Sequence, residues 1–283
     1  MSEKIKVLVI SDHPMAPSGV GSQTKYVINA LINTGRYKFF CLGGAVQHPD
    51  YQAQKIEGFG DDWIIQPVDG YGTPDMIRSI IWNEKPDILW FMTDPRFYGW
   101  LWQIENEIRK NVPMIYYHVW DNYPYPMFNK KFYDSNDVIA SISKLTYDIV
   151  NNVSPEVENH YVPHAVDSTV FKPRDKEEIE DFRASLFSKA DEKFTFFWNN
   201  RNARRKQSGT LIHWFNEFAE EVGPDNVQLI MHTEPSDPHG QDLVAIIKNL
   251  KADDGRVLIS REKVPPEKLA MMYNMVDCTI NIS

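Results

Sequence analysis

The chain has 283 residues and a formal net charge of −9, and 42% of its residues are hydrophobic. This length fits two domains of moderate size, and the aromatic content of 13% argues against a disordered chain. The negative charge argues against general nucleic-acid binding, because such binding depends on cations that neutralise phosphates.

The first half of the chain alternates apolar segments typical of strands with segments typical of helices. Predicted strands cover 6–11, 38–44, 62–68, 85–94, 112–121, 137–143 and 160–166. Predicted helices cover 22–33, 73–84, 100–110 and 144–152. Thr73 and Pro74 have the residue types of a helix cap and a first helical position. The alternation predicts a doubly wound parallel sheet with right-handed crossovers.

A charged segment over 171–193 interrupts the alternation, which then resumes. Predicted strands over 194–200, 227–233, 256–260 and 277–283 enclose predicted helices over 209–222, 241–250 and 265–276. We therefore predict an N-terminal Rossmann-like domain over 1–172, a linker with a surface helix over 173–193, and a C-terminal Rossmann-like domain over 194–283.

The second domain is predicted to be incomplete. Doubly wound domains usually have about five or six parallel strands, and only the four strands just given follow the linker. A last strand without a following helix leaves one sheet face uncovered. We expect either a fragment of a longer protein or a sheet that a partner completes, and the uncovered sheet favours association, including homo-oligomers.

Cysteine usage and the N-terminus indicate the compartment. Cys41 and Cys278 each lie in an apolar run and outside any cluster with metal-ligand spacing, so we expect free thiols, a reducing compartment and no metal site. The first apolar run is too short for a signal peptide, and no stretch approaches the roughly 20 apolar residues of a membrane span. We predict a cytoplasmic protein, for which peripheral membrane contact stays open.

The stretch GVGSQT, residues 19–24, lies between the first strand and a helix N-terminus. Glycines there let backbone N–H groups approach a ligand, and the helix end favours anions. Thr24 replaces the third glycine of a dinucleotide-binding G-x-G-x-x-G, and no Gly-Lys-Ser/Thr follows as in a P-loop. A plain tight turn and a ligand contact are equally compatible with this stretch.

The stretch MIYYHVWDNYPYP, residues 114–126, ends a strand at His118 and continues to Asp121 in an aromatic loop. Side chains at strand ends of this fold face the binding crevice, which makes His118 a candidate general acid, base or hydrogen-bond donor. The favoured alternative is a histidine without a functional role, whose hydrogen-bonding groups are satisfied in the core or at the surface. The nearby aromatic side chains suit the face of a sugar, but they are also ordinary packing residues.

A third stretch, NNRNARRKQSGT, places four cations within six residues just before a helix: Arg201, Arg204, Arg205 and Lys206. Such cations at a helix N-terminus suit a diphosphate. A solvated charged loop is the equally weighted alternative.

Six stretches, in order, are similar to motifs of one enzyme family. PSGVGSQTKYV is similar to a glycine loop, KPDILWF to a fourth strand, and YYHVWD to a strand that ends in an active-site histidine. YVPHAVDSTVFKP resembles V-I-P-N-G-V-D-x-x-x-F-x-P, NNRNARRK keeps an Arg-x₄-Lys spacing, and EKLAMMYNMVDCTINIS resembles E-L-x-x-x-Y-x-x-A-D-x-x-x-x-P-S. Over nearly the whole chain, this order resembles the retaining glycosyltransferases of glycosyltransferase family 4, which have the GT-B fold.

The chain departs from the family pattern at four places. His164 and Ala165 replace Asn-Gly, Gln207 replaces a glycine, and residues 281–283 replace the usual ending in Pro-Ser. The acidic E-x₇-E segment, expected to begin near Ser283, does not follow. The resemblance therefore implies a chain truncated before the carboxylates that hold the donor sugar and the ribose.

The resemblance implies transfer of a sugar from a nucleotide-diphosphate sugar to an acceptor hydroxyl with retention, in a cleft between an acceptor-side first domain and a donor-side second domain. Arg201 and Lys206 match the positions that stabilise the leaving diphosphate, and His118 matches the residue near the donor sugar. The remaining expected contacts to donor or acceptor are Gly19, Gly21, Ser22, Gln23, Asp121, Arg204 and Arg205. No metal and no cofactor beyond the nucleotide sugar is expected, because the side-chain cations neutralise the charge of the diphosphate.

Other functions stay open. A nucleotide-dependent oxidoreductase is poorly supported, because the second strand, KFFCLGG, does not end in the acidic residue that would bind a ribose. A GT-B nucleotide-sugar epimerase needs additional acid and base groups. A non-catalytic or split nucleotide-binding piece is the other alternative. The sequence leaves the sugar, the nucleotide and the acceptor open, and the acceptor class ranges over glycans, lipids, proteins and others.

Overall fold

The computed structural model describes residues 3–187 and 193–282, and the contacts between Cα atoms divide the chain into two compact units, Met1–Ala165 and Val166–Ser283. The division therefore lies before the boundary predicted after residue 172. Each unit is built around its own sheet.

The first unit contains an eight-stranded sheet with the order β3-β4-β2-β1-β5-β6-β7-β8. Its strands are β1 (Ile5–Asp12), β2 (Tyr37–Gly44), β3 (Gln54–Lys55), β4 (Trp63–Pro67), β5 (Ile88–Met92), β6 (Met114–His118), β7 (Val138–Ser141) and β8 (Glu158–Tyr161). All neighbouring strands are parallel except the edge strand β3, which is antiparallel to β4. The predicted parallel core is confirmed, and the sequence missed β3 because two exposed residues carry no periodic pattern.

The helices of this unit are α1 (Gly19–Ile32), α2 (Pro74–Glu84), α3 (Gly99–Gln103), α4 (Glu105–Ile108), α5 (Lys130–Tyr133) and α6 (Lys144–Val153). Thr73 caps α2 as predicted, since its side chain accepts a hydrogen bond from the backbone N–H of Met76. The single helix predicted over 100–110 is instead two short helices, because Ile104 leaves helical geometry at φ −116° and ψ 9°.

The two faces of β1 pack against different clusters. Val7 and Val9 lie in the cluster that contains Ile28 of α1, whereas Leu8 and Ile10 lie in the cluster that contains the helices of the opposite face. Successive side chains of a strand alternate between faces, so a strand buried on both sides is apolar at every position. This explains why KVLVI is a continuous apolar run.

The second unit contains a four-stranded sheet with the order β11-β10-β9-β12. Its strands are β9 (Phe194–Asn199), β10 (Val227–His232), β11 (Val257–Ser260) and β12 (Cys278–Thr279), and its helices are α7 (Lys176–Leu186), α8 (Ser208–Val222), α9 (Leu243–Asn249) and α10 (Pro266–Asn274). All pairings are parallel, as predicted. The last strand is much shorter than the predicted 277–283.

Helix α7 belongs to the second unit and lies within the segment for which the sequence predicts a linker with a surface helix, over 173–193. Ile179, Phe182 and Phe187 pack against a buried cluster that includes Phe197. Arg183 also donates hydrogen bonds from its guanidinium to the backbone oxygens of Met275 and Lys193, at 3.3 and 2.9 Å. Three apolar side chains among many charges therefore pack this segment against the second unit. Residues 188–192 of the predicted linker lie outside the described part of the chain.

None of the helices in the described part of the chain is both long enough and apolar enough to cross a membrane.

Candidate functional site

In parallel sheets, ligands bind at the carboxyl ends of the strands, where the connecting loops gather. Two strand-to-helix turns occupy this position at the first strand of each unit. We call residues 12–24, which run from the end of β1 into α1, the first turn, and residues 200–209, which run from the end of β9 into α8, the second turn.

The glycines of the first turn lie inside the helix, because α1 begins at Gly19 rather than near Ser22. Ser18 caps the helix, and its Oγ accepts a hydrogen bond from the Gly21 N–H at 3.0 Å. A Cβ on Gly21 would lie 2.7 Å from the backbone oxygen of His13, whereas a Cβ on Gly19 would meet nothing within 4 Å. The packing of the turn on itself therefore accounts for Gly21.

The buried carboxylate of Asp12 stabilises the first turn through two hydrogen bonds. Ser18 donates from Oγ to Asp12 Oδ2 at 2.6 Å, and Tyr71 donates from Oη to Asp12 Oδ1 at 2.8 Å. Below them, the hydroxyls of Ser11 and Thr24 are 2.6 Å apart. Burial, and then the charge of Asp12, raise the pKa of Tyr71, so its hydroxyl stays protonated and continues to donate.

Gln23 was predicted to contact a ligand, but both halves of its amide are engaged with the backbone. Its Nε2 donates to the carbonyl oxygen of Ala165 at 2.7 Å, and its Oε1 accepts from the Ala165 N–H at 3.0 Å. Gln23 therefore holds the last residue of the first unit. Ser22 lies half-buried beside it, and its backbone N–H donates to the Ser18 carbonyl.

The end of β5 holds two residues that sequence reasoning missed. Thr93 has φ 132°, a strained conformation for a β-branched residue. Asp94 follows it, and burial opposes ionisation of its carboxyl, but hydrogen bonds from Arg96 outweigh burial and lower its pKa. A usable signal was present, because Asp12 and Asp94 are both acidic residues at the end of an apolar strand segment.

His118 ends β6 as predicted, but its side chain is 0% exposed. Its Nε2 lies 2.7 Å from Tyr133 Oη, and its Nδ1 has no hydrogen-bond partner among the described residues. Burial lowers its pKa to about 3, so the imidazole is neutral near neutral pH. Asp121 lies apart from this interior position, in the exposed loop that follows.

Arg201 of the second turn is already paired with a carboxylate from another loop. Its Nε and Nη2 donate to Asp237 Oδ2 and Oδ1 at 2.7 and 3.2 Å, and Nη2 lies 3.0 Å from His239 Nδ1. The hydrogen bonds from Arg201 lower the pKa of Asp237 to about 2. The partner of Arg201 follows β10, so no local sequence pattern connects the two residues.

The other cations form one 3₁₀ turn directly before α8, over Arg204–Lys206. The side chains of Arg204 and Arg205 are exposed, and Lys206 is half-buried. Gln207 follows with φ 50° and ψ 36°, the left-handed conformation that favours glycine. Gln207 therefore adopts a conformation that suits glycine better, at some energetic cost.

A buried asparagine locks the second turn to the loop after β10. Asn202 is 0% exposed, and its Nδ2 donates to the carbonyl oxygens of Pro235 and Gln241 at 3.2 and 2.7 Å. Its Oδ1 accepts from Ser208 Oγ at 2.6 Å. A Cβ on Gly240 would lie 2.0 Å from the Asn202 backbone oxygen, so only glycine fits there. The backbone that carries the cations is therefore held in place by these contacts.

This arrangement favours an anion. Arg204, Arg205 and Lys206 crowd at the start of the long helix α8, whose dipole also favours negative charge. The Gly209 N–H near the start of α8 already donates to Gln241 Oε1 at 2.8 Å. Within residues 3–187 and 193–282, no group of three or more His, Cys, Asp or Glu is placed to hold a metal ion.

Two surface grooves lie away from these turns, at the opposite end of the first sheet. They have volumes of about 630 and 650 Å³, and both are lined by Lys85, which follows the end of α2. They adjoin the amino ends of β1 and β5, whereas both turns lie at carboxyl ends.

Comparisons with known proteins show the fold. No family model matches the chain, and no curated protein matches it. A trehalose-6-phosphate synthase from E. coli bound with UDP-2-fluoro glucose superposes with a TM-score of 0.68 at 10% identity, over 98% of this chain and 78% of that chain. A glycosyltransferase from Rickettsia africae superposes with a TM-score of 0.68 at 15% identity, over 99% of this chain and 73% of that chain. The catalytic domain of starch synthase IV from Arabidopsis thaliana, bound to ADP and acarbose, superposes with a TM-score of 0.66 at 11% identity. That superposition covers 98% of this chain and 78% of that chain. The chain therefore has the GT-B fold, with Rossmann-like units.

Proposed function

We propose that this chain is a glycosyltransferase that moves a sugar from a nucleotide-diphosphate sugar to an acceptor hydroxyl with retention. The observation that carries the proposal is the second turn, a cationic helix start fixed at the carboxyl end of β9 by Asn202. Support also comes from the fold, shared with a synthase solved with a UDP-sugar analogue and a synthase solved with ADP. The order of the sequence motifs supports family 4 within this fold.

The second unit is proposed to hold the donor. As the bond to the sugar breaks, negative charge grows on the diphosphate, and preorganised cations stabilise that charge in the transition state. Arg204, Arg205 and Lys206 are proposed for this role, and with them no metal is required. Arg201 is proposed to join when the diphosphate replaces Asp237 as its partner, because a phosphate accepts the same two-pronged guanidinium bond.

The first unit is proposed to present the acceptor. Asp12 and Asp94 supply buried or half-buried carboxylates at strand ends, and Thr93 stores strain between β5 and Asp94. His118 is proposed as a positioning residue, since a neutral imidazole with one unpartnered nitrogen orients hydroxyls but does not store a proton near neutral pH. We propose that the protein works in the cytoplasm.

A second candidate is nucleotide-sugar binding without transfer. The observation that favours it is the combination of a paired Arg201 and a His118 that is 0% exposed. If Arg201 stays paired and His118 stays buried when a ligand is bound, the chain binds a diphosphate but has no group at the reacting sugar.

The test is a screen of UDP-, ADP- and GDP-sugars for release of the nucleoside diphosphate, with acceptor pools, and NMR of the anomeric proton of any product. Arg201→Ala/Lys206→Ala is expected to abolish release. Arg78→Ala is the matched control, because Arg78 is also an exposed arginine paired with a carboxylate, that of Glu107, in the first unit. Binding of a nucleotide sugar without release favours the second candidate, and no binding by the folded chain contradicts both.

A further inference from the structure

The loop after β6 exposes a group of aromatic side chains that the proposed chemistry does not use. Tyr123 is 54% exposed, Tyr125 40% and Phe128 65%, and Trp120 lies half-buried beside Phe128. We call these four residues the aromatic platform. The platform consists of two ring pairs on one loop, Tyr123 with Tyr125 and Trp120 with Phe128. Exposed apolar groups of this kind mark interaction sites.

Two rings of the platform are held by one carboxylate. The hydroxyls of Tyr123 and Tyr125 both donate to Asp148 Oδ2, each at 3.0 Å, from the loop to α6. Asn152 Nδ2 lies 3.2 Å from the other carboxylate oxygen. The two rings therefore meet at 77° with centroids 5.3 Å apart, and their faces are fixed before any ligand arrives.

The other two rings are also oriented. Trp120 meets Phe128 edge to face, with centroids 5.7 Å apart at 74°. The Trp120 Nε1–H donates to the Asn122 carbonyl at 3.1 Å, and the Arg96 guanidinium lies 5.6 Å from the Trp120 ring. The platform is thus a set of fixed rings rather than loosely exposed side chains.

The charges around the platform select the kind of ligand. Arg96 pairs with Asp94 at 2.6 Å, and Lys130 pairs with Asp134 at 2.9 Å. Asp121 adds an exposed carboxylate within the loop. Lys131 is a further exposed cation, and its Nζ lies 5.1 Å from the Phe132 ring. Because Arg96 and Lys130 are paired with carboxylates and Asp121 adds an acid, the surroundings of the platform are not strongly cationic and do not favour an anionic membrane or a nucleic acid.

Flat apolar rings with a few polar groups at their edges suit a neutral, hydroxyl-rich ligand. The C–H faces of a sugar pack on ring faces, while carboxylates and tyrosine hydroxyls bond its hydroxyl groups. We infer that the aromatic platform binds a neutral carbohydrate chain. On the proposed function, on which this step rests, the acceptor is an oligosaccharide whose units beyond the reacting one lie on the platform.

The test starts with the full chain on a printed array of neutral glycans, followed by calorimetric titration of the strongest binder. Tyr123→Ala/Tyr125→Ala is expected to weaken binding by about tenfold or more, through loss of two stacking faces. Tyr123→Phe/Tyr125→Phe keeps the rings but frees them from Asp148, so a smaller loss is expected. Tyr147→Ala is the matched control, since Tyr147 is a 37% exposed tyrosine on α6, next to Asp148 and outside the platform.

The outcomes separate this inference from the proposed function. Retained binding of a nucleoside diphosphate with no glycan bound overturns the platform and leaves the donor site standing. A bound glycan that the tyrosine variants release, without diphosphate binding, supports the platform and contradicts the transferase. Binding to phosphatidylcholine vesicles that contain phosphatidylserine, in place of glycans, also overturns the inference.

Discussion

The first and second turns occupy the same topological position, after the first strand of each unit, but they use their polar residues in opposite ways. The first turn directs them inward, where Asp12 bonds Ser18 and Tyr71. The second turn has a buried polar anchor in Asn202 and keeps Arg204 and Arg205 exposed. A glycine-rich turn at a helix start is therefore weak support for ligand binding, because packing alone explains Gly21. A cation cluster on a fixed base is stronger support.

The largest expected effect on stability comes from a substitution that disrupts the packing of Gly240 against Asn202 of the second turn. Gly240→Ala places a Cβ 2.0 Å from a backbone oxygen of Asn202, and two loops must separate. We expect the free energy of unfolding to fall by about 3 kcal/mol, as overpacking against an immovable group does. Urea unfolding measures it. Gly99→Ala is the control, because its Cβ meets nothing within 4 Å, and an equal loss there would contradict the explanation.

The next effect separates the two glycines of the first turn. Gly21→Ala is expected to cost about 1–3 kcal/mol, because its Cβ would lie 2.7 Å from the His13 oxygen. Gly19→Ala has open space in a helical position, so a gain of up to about 1 kcal/mol is expected. Thermal and urea unfolding of both variants measure the difference. Equal behaviour would show that packing does not distinguish these glycines.

A pH effect follows from the burial of His118. Its pKa falls from 6.5 to about 3 on folding, so the unfolded chain binds the proton more tightly. The stability from the neutral histidine is complete above about pH 6.5 and is lost as the pH falls towards 3, by roughly 2 kcal/mol between pH 6.5 and 5. Urea unfolding at several pH values measures this slope. His118→Gln is expected to flatten it, and an unchanged slope would assign the effect to other groups.

The smallest effect on stability is expected at the exposed pair of the second turn. Asp237→Asn removes the partner of Arg201, and exposed ion pairs contribute little to folding. Because the pKa of Asp237 is lowered to about 2, its contribution is present above about pH 4 and lost as the pH falls towards 2. Nucleoside diphosphate binding is expected to tighten, since Asp237 no longer competes for Arg201. Calorimetry measures this, and weaker binding would show that Asp237 supports the site.

Local patterns predicted much of the fold. The alternation of apolar and amphipathic segments gave the parallel strands of both units, and Thr73 with Pro74 gave the start of α2. The break at Ile104 and the packing of α7 were missed, because they depend on contacts between distant segments. Those contacts carry no period in the sequence.

The candidate site was predicted less well, because side-chain partners come from other loops. The sequence located the cations of the second turn but not Asp237, which neutralises Arg201. It located His118 at a strand end but not the aromatic shell that buries it. It named Gln23 as a ligand contact but did not show that the amide of Gln23 bonds the backbone of Ala165. Residue types at strand ends thus predict where a site lies, while pairing decides which side chains are available.

The most direct test of the contrast between the turns is calorimetric titration of UDP, ADP and GDP into the chain and two variants. Arg204→Ala/Arg205→Ala alters the second turn, and Ser22→Ala/Gln23→Ala alters the first. We predict that one diphosphate binds, that the arginine variant loses at least about tenfold in affinity, and that the first-turn variant keeps it. Loss of binding in the first-turn variant, with binding intact in the arginine variant, would contradict the assignment of the diphosphate to the second turn.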